Sequence, residues 1–97
     1  MTTAETDTPA QGGPAAAPLI EVRLFAGAAA AFGADDARVR ARTLAEAVAA
    51  LQDGAAAEAV QVIDRSSLLV NAVACTDRDR VLADGDRVDV LPPFAGG

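Results

Sequence analysis

The sequence predicts an α+β domain of two layers, in which one main helix lies across a small mixed β-sheet. Three observations carry this. Residues 19 to 26 and 87 to 91 alternate apolar and polar side chains as half-buried strands do, and residues 68 to 75 form a nearly continuous apolar run. Between them, Thr43-Leu44-Ala45-Glu46 opens an apolar stripe at helical spacing. The 97 residues suit one domain with one core, and that core is modest: hydrophobic residues make up 52%, but aromatics only 3%.

Residues 1 to 18 are low in bulky apolar side chains and rich in Pro and Gly, a composition that cannot repay the entropy of ordering. They read as a disordered tail before a domain over residues 19 to 93. In the first strand Ile20, Val22 and Leu24 point one way and Glu21, Arg23 and Phe25 the other, which leaves Phe25 on the polar side. Residues 27 to 36, alanine-rich between glycines, read as a helical turn or a connecting loop. Residues 37 to 42 alternate again, with Arg38, Arg40 and Arg42 on one face. This is a strand at a sheet edge, and its arginines are most simply a solvated face.

The helix follows. The Thr43 hydroxyl is placed to accept from an early helix N–H while Glu46 reaches back to Thr43. Leu44, Ala47, Val48 and Leu51 form the buried stripe, and Asp53-Gly54 ends it because glycine takes a left-handed backbone easily. Residues 55 to 63 read as a second short helix burying Ala56, Val60 and Ile63. The run over residues 68 to 75 is either one buried strand or two short strands bending at Asn71-Ala72. Val81-Leu82 packs briefly before a turn at residues 83 to 86. The last strand then sends Val88 and Val90 inward and Arg87, Asp89 and Leu91 outward, and Pro92-Pro93 ends ladder hydrogen bonding. One sheet face is left open.

Composition excludes several functions. A net charge of −6 argues against nucleic acid and anionic membrane, which both need a cationic surface, and favours a basic partner. The chain has no histidine, and all eight basic residues are arginine. Imidazole catalysis, lysine Schiff bases and isopeptide attachment to this chain's own side chains are therefore excluded. Cys75 is alone, so no intramolecular disulfide forms, and it reads as a small buried hydrophobe. The acidic cluster Asp77, Asp79, Asp84 and Asp86 lacks the glycine and terminal glutamate of a calcium loop, so no metal is assigned. No apolar run approaches membrane-span length and no signal-peptide pattern opens the sequence, which points to the cytoplasm.

The most distinctive stretch is the last. An alternating strand runs into Pro92-Pro93, and Phe94-Ala95-Gly96-Gly97 follow as a flexible tail. Two glycines admit almost any backbone angle and let another protein's walls approach closely, so such an end can thread a tunnel and present the Gly97 α-carboxylate.

The strand Val22-Arg23-Leu24-Phe25-Ala26, the capped helix from Thr43 to Leu51, the segment Leu68-Leu69-Val70-Asn71, and the stretch from Leu82 through Asp84-Gly85-Asp86 and Pro92-Pro93 to Gly97 together resemble one family. It is the β-grasp, ubiquitin-like sulfur carriers, and among them the motifs resemble the small subunit of molybdopterin synthase. The resemblance implies a chain that donates sulfur without catalysing the reaction itself. An ATP-dependent, ubiquitin-activating-like enzyme would adenylate the Gly97 carboxylate, since a carboxylate is a poor electrophile without a leaving group. A persulfide protein would then supply sulfur to give a thiocarboxylate. No cofactor is bound by the chain, ATP being used by the activating enzyme on Gly97. The tail would enter the large catalytic subunit, in a heteromer, and give sulfur to a pterin precursor in molybdenum cofactor biosynthesis.

By the same resemblance Gly96 is the slim residue that lets Gly97 pass, and Pro92, Pro93, Phe94 and Ala95 form the extended lead-in. Phe25 and Leu91 match hydrophobic positions that meet the partner. Their outward phase agrees, because an exposed apolar pair on an open sheet face needs a reason. One departure is Asn71-Ala72, where many relatives carry Asn-Gly, so a turn demanding positive φ is less comfortable here. Other readings remain: a sulfur carrier for thiazole or cysteine biosynthesis, a ubiquitin-like modifier joined through Gly97 to lysines of other proteins, or an interaction module with an inert tail.

Overall fold

The computed structural model describes residues 17 to 93. Of the tail read over residues 1 to 18, only the last two fall within it, and they are tied to the domain. Ala17 is buried and its carbonyl accepts from Arg40 Nη1 at 3.0 Å, while the Pro18 carbonyl accepts from the Ala41 N–H.

The elements run β1 (Leu19–Leu24), α1 (Ala26–Phe32), β2 (Asp36–Arg40), α2 (Leu44–Gln52), α3 (Ala57–Arg65), β3 (Ser67–Val70), β4 (Val73–Ala74) and β5 (Arg87–Leu91). The strands form one mixed sheet in the order β2-β1-β5-β3-β4. Only β1 and β5 are parallel; the other pairs are antiparallel. The last strand in sequence is therefore central in space, and its two apolar positions lie at the middle of the core. Ile20, Val22, Leu24, Leu68, Val70, Val88 and Val90 face Ala28 of α1, Leu44, Ala47, Val48 and Leu51 of α2, and Ile63 of α3. The alternation of β1 and the stripe of α2 fall where the sequence puts them, and β2 is an edge strand.

Local differences have local causes. The stretch after β1 is a two-turn helix, α1, started by Ala26 at φ 50° and closed by Gly33 at φ 93°. At α2 the Thr43 hydroxyl accepts from the Glu46 N–H at 3.2 Å, but the Glu46 carboxylate reaches the Arg42 N–H at 2.8 Å rather than Thr43. Thr43 is extended and bridged to Val81, and in that strand-like segment the Arg42 N–H is the one that faces the carboxylate. Gly54, at φ 77°, follows the helix as its left-handed stop. In α3 the buried residues are Ala59 and Ile63, four apart, with Val60 only half-buried. Ala56 is the exposed N-cap, one position before the first turn, so it has no helix face to bury. Val81 is 74% exposed and Leu82 alone plugs the core, because the loop's alternation sends one of the pair each way.

The apolar run bends at Asn71-Ala72 into two strands. Val70 pairs with Val73, so the turn has two central residues, and both have positive φ, 50° and 72°. That is the type I′ signature, which suits the right-handed twist of a hairpin.

The Asp84-Gly85-Asp86 turn fastens three elements together. Asp84 Oδ1 accepts from the Leu19 N–H at 2.8 Å, Gly85 N–H donates to the Leu19 carbonyl, and the Asp86 carbonyl accepts from the Glu21 N–H. The Asp86 side chain takes the Ala83 N–H at 2.8 Å and the Asn71 amide at 3.0 Å. Those two bonds, the Ala83 one first, hold its carboxyl below the usual range, with Arg80 adding a weaker attraction and burial opposing them. Asn71 returns the favour through its oxygen, which accepts from the Arg87 N–H at 3.0 Å. The acidic loop residues are thus turn builders, Asp77 included, whose carboxylate accepts from the Asp79 N–H.

Candidate functional site

The sheet has one face under the helices and one without them, and β5 leaves the domain at the end of the uncovered face. The ladder between β1 and β5 pairs Leu24 with Val90, and the Phe25 N–H donates to the Val90 carbonyl at 3.1 Å. Phe25 continues the extended strand by one residue, φ −121° and ψ 150°, before α1 begins. This register puts Phe25 beside Leu91 on the uncovered face. Phe25 is 37% exposed and Leu91 half-buried. Pro92 is half-buried and Pro93 exposed, at the point where the ladder stops for want of an N–H. The structure therefore brings together four of the residues singled out in the sequence: Phe25, Leu91, Pro92 and Pro93. Phe94, Ala95, Gly96 and Gly97 lie outside the described residues.

Behind this apolar pair the face is a checkerboard of charge set by the register. Glu21 lies between Arg38 of β2 and Arg87 of β5, and Arg23 lies between Asp36 and Asp89. Each charge therefore has neighbours of opposite sign across the strands, an arrangement that favours sheet pairing. Asp89 points away from the helices, as its phase requires, yet is only 5% exposed. The cause is its central strand: Arg23 and Leu69 stand opposite it on either side. Its carboxylate pairs with the Arg87 guanidinium two residues before it, Nε to Oδ1 at 3.2 Å and Nη2 to Oδ2 at 3.5 Å. The Nε contact is close enough for attraction but not aligned as a hydrogen bond. A depression of about 730 Å³ opens on this side, lined among others by Arg23, Phe25, Asp35, Asp36 and Arg38.

Two features of the site were not anticipated from sequence. Arg23 lies with its Cζ 6.0 Å from the centroid of the Phe25 ring, and Arg87 and Asp89 form the ion pair. Both are i, i+2 pairs on one strand face, so the period of two contained the signal. Of the arginine row, Arg40 is engaged by the Ala17 carbonyl, a structural use. Cys75 is half-buried, with Sγ 3.6 Å from the Asp77 carbonyl. Among the described residues no group of three His, Cys, Asp or Glu side chains is placed to hold a metal, and no helix is long and apolar enough to cross a membrane. Among the described residues this face presents an exposed apolar side chain, Phe25, beside charges paired across the strands.

A model of the ThiS family matches residues 22 to 97. No curated protein sequence matches significantly. Among solved structures, the chain is similar to the crystal structure of small archaeal modifier protein 1 from Haloferax volcanii, with TM-score 0.71, 28% identity, and coverage of 81% of this chain and 99% of that one. It is also similar to the first subunit in the complex of subunits 1 and 2 of the molybdopterin-converting factor from Helicobacter pylori, with TM-score 0.64, 25% identity, and coverage of 81% and 99%. The solution structure of the modifier protein from Methanosarcina acetivorans, at 20% identity and TM-score 0.72 over 82% of this chain and 97% of that one, shares the β-grasp fold.

Proposed function

Because this chain belongs to the ThiS family of ubiquitin-like sulfur carriers, we propose that it carries sulfur as a thiocarboxylate on Gly97 and delivers it within a molybdopterin synthase. The observation that carries the proposal is the span of the family match, which runs through residue 97 and takes in Gly96-Gly97. The likeness to a molybdopterin-converting factor subunit solved with its second subunit supports a large catalytic partner. In this reading Phe25 and Leu91 dock on that partner, and the segment from Pro92 to Ala95 leads Gly97 into its active site.

The chemistry is assigned to the other proteins. An activating enzyme uses ATP to convert the Gly97 carboxylate to an acyl adenylate with release of pyrophosphate. A persulfide sulfur attacks the acyl carbon and AMP leaves; reductive cleavage of the resulting acyl disulfide by a thiol leaves the thiocarboxylate. This chain contributes the carbonyl carbon, a slender approach and a docking face. It offers no imidazole and no lysine amine, since no histidine or lysine is present.

A second reading is favoured by the likeness to small archaeal modifier protein 1. The same activated Gly97 would then form an amide with a lysine of another protein. Intact mass spectrometry after incubation with activating enzyme, ATP and a persulfide donor separates the two. Oxygen-for-sulfur exchange at Gly97 supports the carrier, adducts on other proteins support the modifier, and an unchanged chain beside an active control enzyme rejects both. Formation of dithiolene pterin on adding the large subunit tests the pathway.

A further inference from the structure

We propose that Arg23 is a positioning residue that sets the Phe25 ring for docking; this rests on the reading above that Phe25 meets a partner. The backbone of Phe25 is fixed from both sides. Its N–H donates to the Val90 carbonyl, and its carbonyl accepts from the Ala28 N–H at 3.0 Å at the start of α1. The next residue, Ala26, holds φ at 50°, a left-handed backbone that an L-residue adopts only under strain. An alanine kept in that conformation makes the strand-to-helix corner abrupt, so that Phe25 stays in phase with β1 and its Cβ stays on the uncovered face. Strain of this kind persists only where the surroundings over-determine it.

The side chain has less to hold it. No helix covers this face, and the ring is 37% exposed. What brackets it is the Arg23 guanidinium, two residues earlier on the same face, with Cζ 6.0 Å from the ring centroid. That placement is a choice among partners. Arg23 has a carboxylate in register on each side, Asp36 and Asp89, yet the one ion pair among the described residues joins Asp89 to Arg87. With Asp89 occupied by Arg87, the Arg23 head lies toward the ring. A planar, weakly hydrated guanidinium suits the face of an aromatic, where a lysine ammonium would stay with water. Holding the ring before contact reduces the rotamer entropy lost on docking.

Two measurements test this on the full chain. In NMR spectra of the free protein, the Arg23 side-chain resonances are displaced by the Phe25 ring current and return to ordinary values in Phe25→Leu. In binding to a molybdopterin synthase large subunit, Arg23→Ala weakens affinity about two- to fivefold. Arg23→Lys keeps the charge and is weakened nearly as much. In the Phe25→Leu background the Arg23→Ala effect disappears, which a residue touching the partner on its own account would not allow. Undisplaced Arg23 resonances overturn the proposal, and so does an Arg23→Ala loss that persists undiminished without the ring. If the wild-type chain shows no affinity for the large subunit, the docking reading falls, and the ring-current measurement, which needs no partner, still decides the stacking.

Discussion

At the scale of single residues the informative positions are alanines doing what glycine does more easily. Among the described residues, three that are not glycine have positive φ: Ala26, Asn71 and Ala72. Asn71 is compensated, because its side chain bonds both Asp86 and the Arg87 N–H. Ala72 is exposed and has no bond of that kind to hold it there. Ala72→Gly should therefore stabilise the domain by about 1 kcal/mol, the left-handed penalty less the glycine's extra unfolded entropy. Urea unfolding checks it: the midpoint rises while the m-value stays the same. Asp86 gives a pH prediction. Its folded pKa lies below the ordinary 3.8, so its bonds add stability that is fully present above that value and is lost as pH falls through the folded pKa. Asp86→Asn removes that part of the dependence. Unfolding free energy followed from pH 6 downward should show a shallower acid loss in Asp86→Asn than in wild type, with lower stability at the upper end.

At the scale of elements, legibility followed how local the determinants are. α2 could be read almost residue by residue, since its cap, stripe and stop are all within it: Thr43 bonds the Glu46 N–H and Leu44, Ala47, Val48 and Leu51 are buried. Thr43→Ala should cost about 1 kcal/mol in thermal or urea unfolding, the usual value of an N-cap bond. An unchanged midpoint would show that the α2 N-terminus is held instead by the Arg78 and Arg80 carbonyls, which accept from Ala45 and Leu44. What the sequence hid came from tertiary neighbours. The face of α3 is decided by packing against α1 and α2, and residues 55 to 63 contain two apolar rows a helix could bury, so nothing local favours Ala59 over Ala56 and Val60. Glu46 reaching Arg42 depends on the Thr43–Val81 bridge, formed by residues far apart in sequence. The burial of Asp89 likewise needs the knowledge that the final strand is central, which alternation alone never reveals. At the site, Phe25 and Leu91 were legible from phase, but their adjacency comes from a parallel pairing of the first and last strands.

At the scale of the whole molecule, β5 joins the centre of the described core to the end of the chain proposed to carry sulfur. Arg87–Leu91 is hydrogen-bonded on both sides, to β1 and β3, and Val88 and Val90 lie in the core. Everything that the described core takes from this end of the chain is complete by Val90, and Pro92-Pro93 then removes two ladder donors in succession. Changes beyond Pro93 should accordingly leave the fold alone, whereas changes at the exit should affect docking. Phe25→Asp or Leu91→Asp should weaken binding to the large subunit about tenfold or more, since a charge would be buried where an apolar side chain packs. Isothermal titration measures it, with circular dichroism showing the fold retained. Removing Gly97, or adding one residue after it, tests the other half. Such variants should unfold at the wild-type urea midpoint and still bind the large subunit through Phe25 and Leu91. They should fail to transfer sulfur, because the acyl carbon is then one residue, about 3.3–3.6 Å of extended chain, out of place in both enzymes' active sites. Sulfur transfer by an extended, unprocessed chain would mean that the reactive carbonyl is not that of Gly97, and a fall in the urea midpoint would mean that the last four residues belong to the folded body after all.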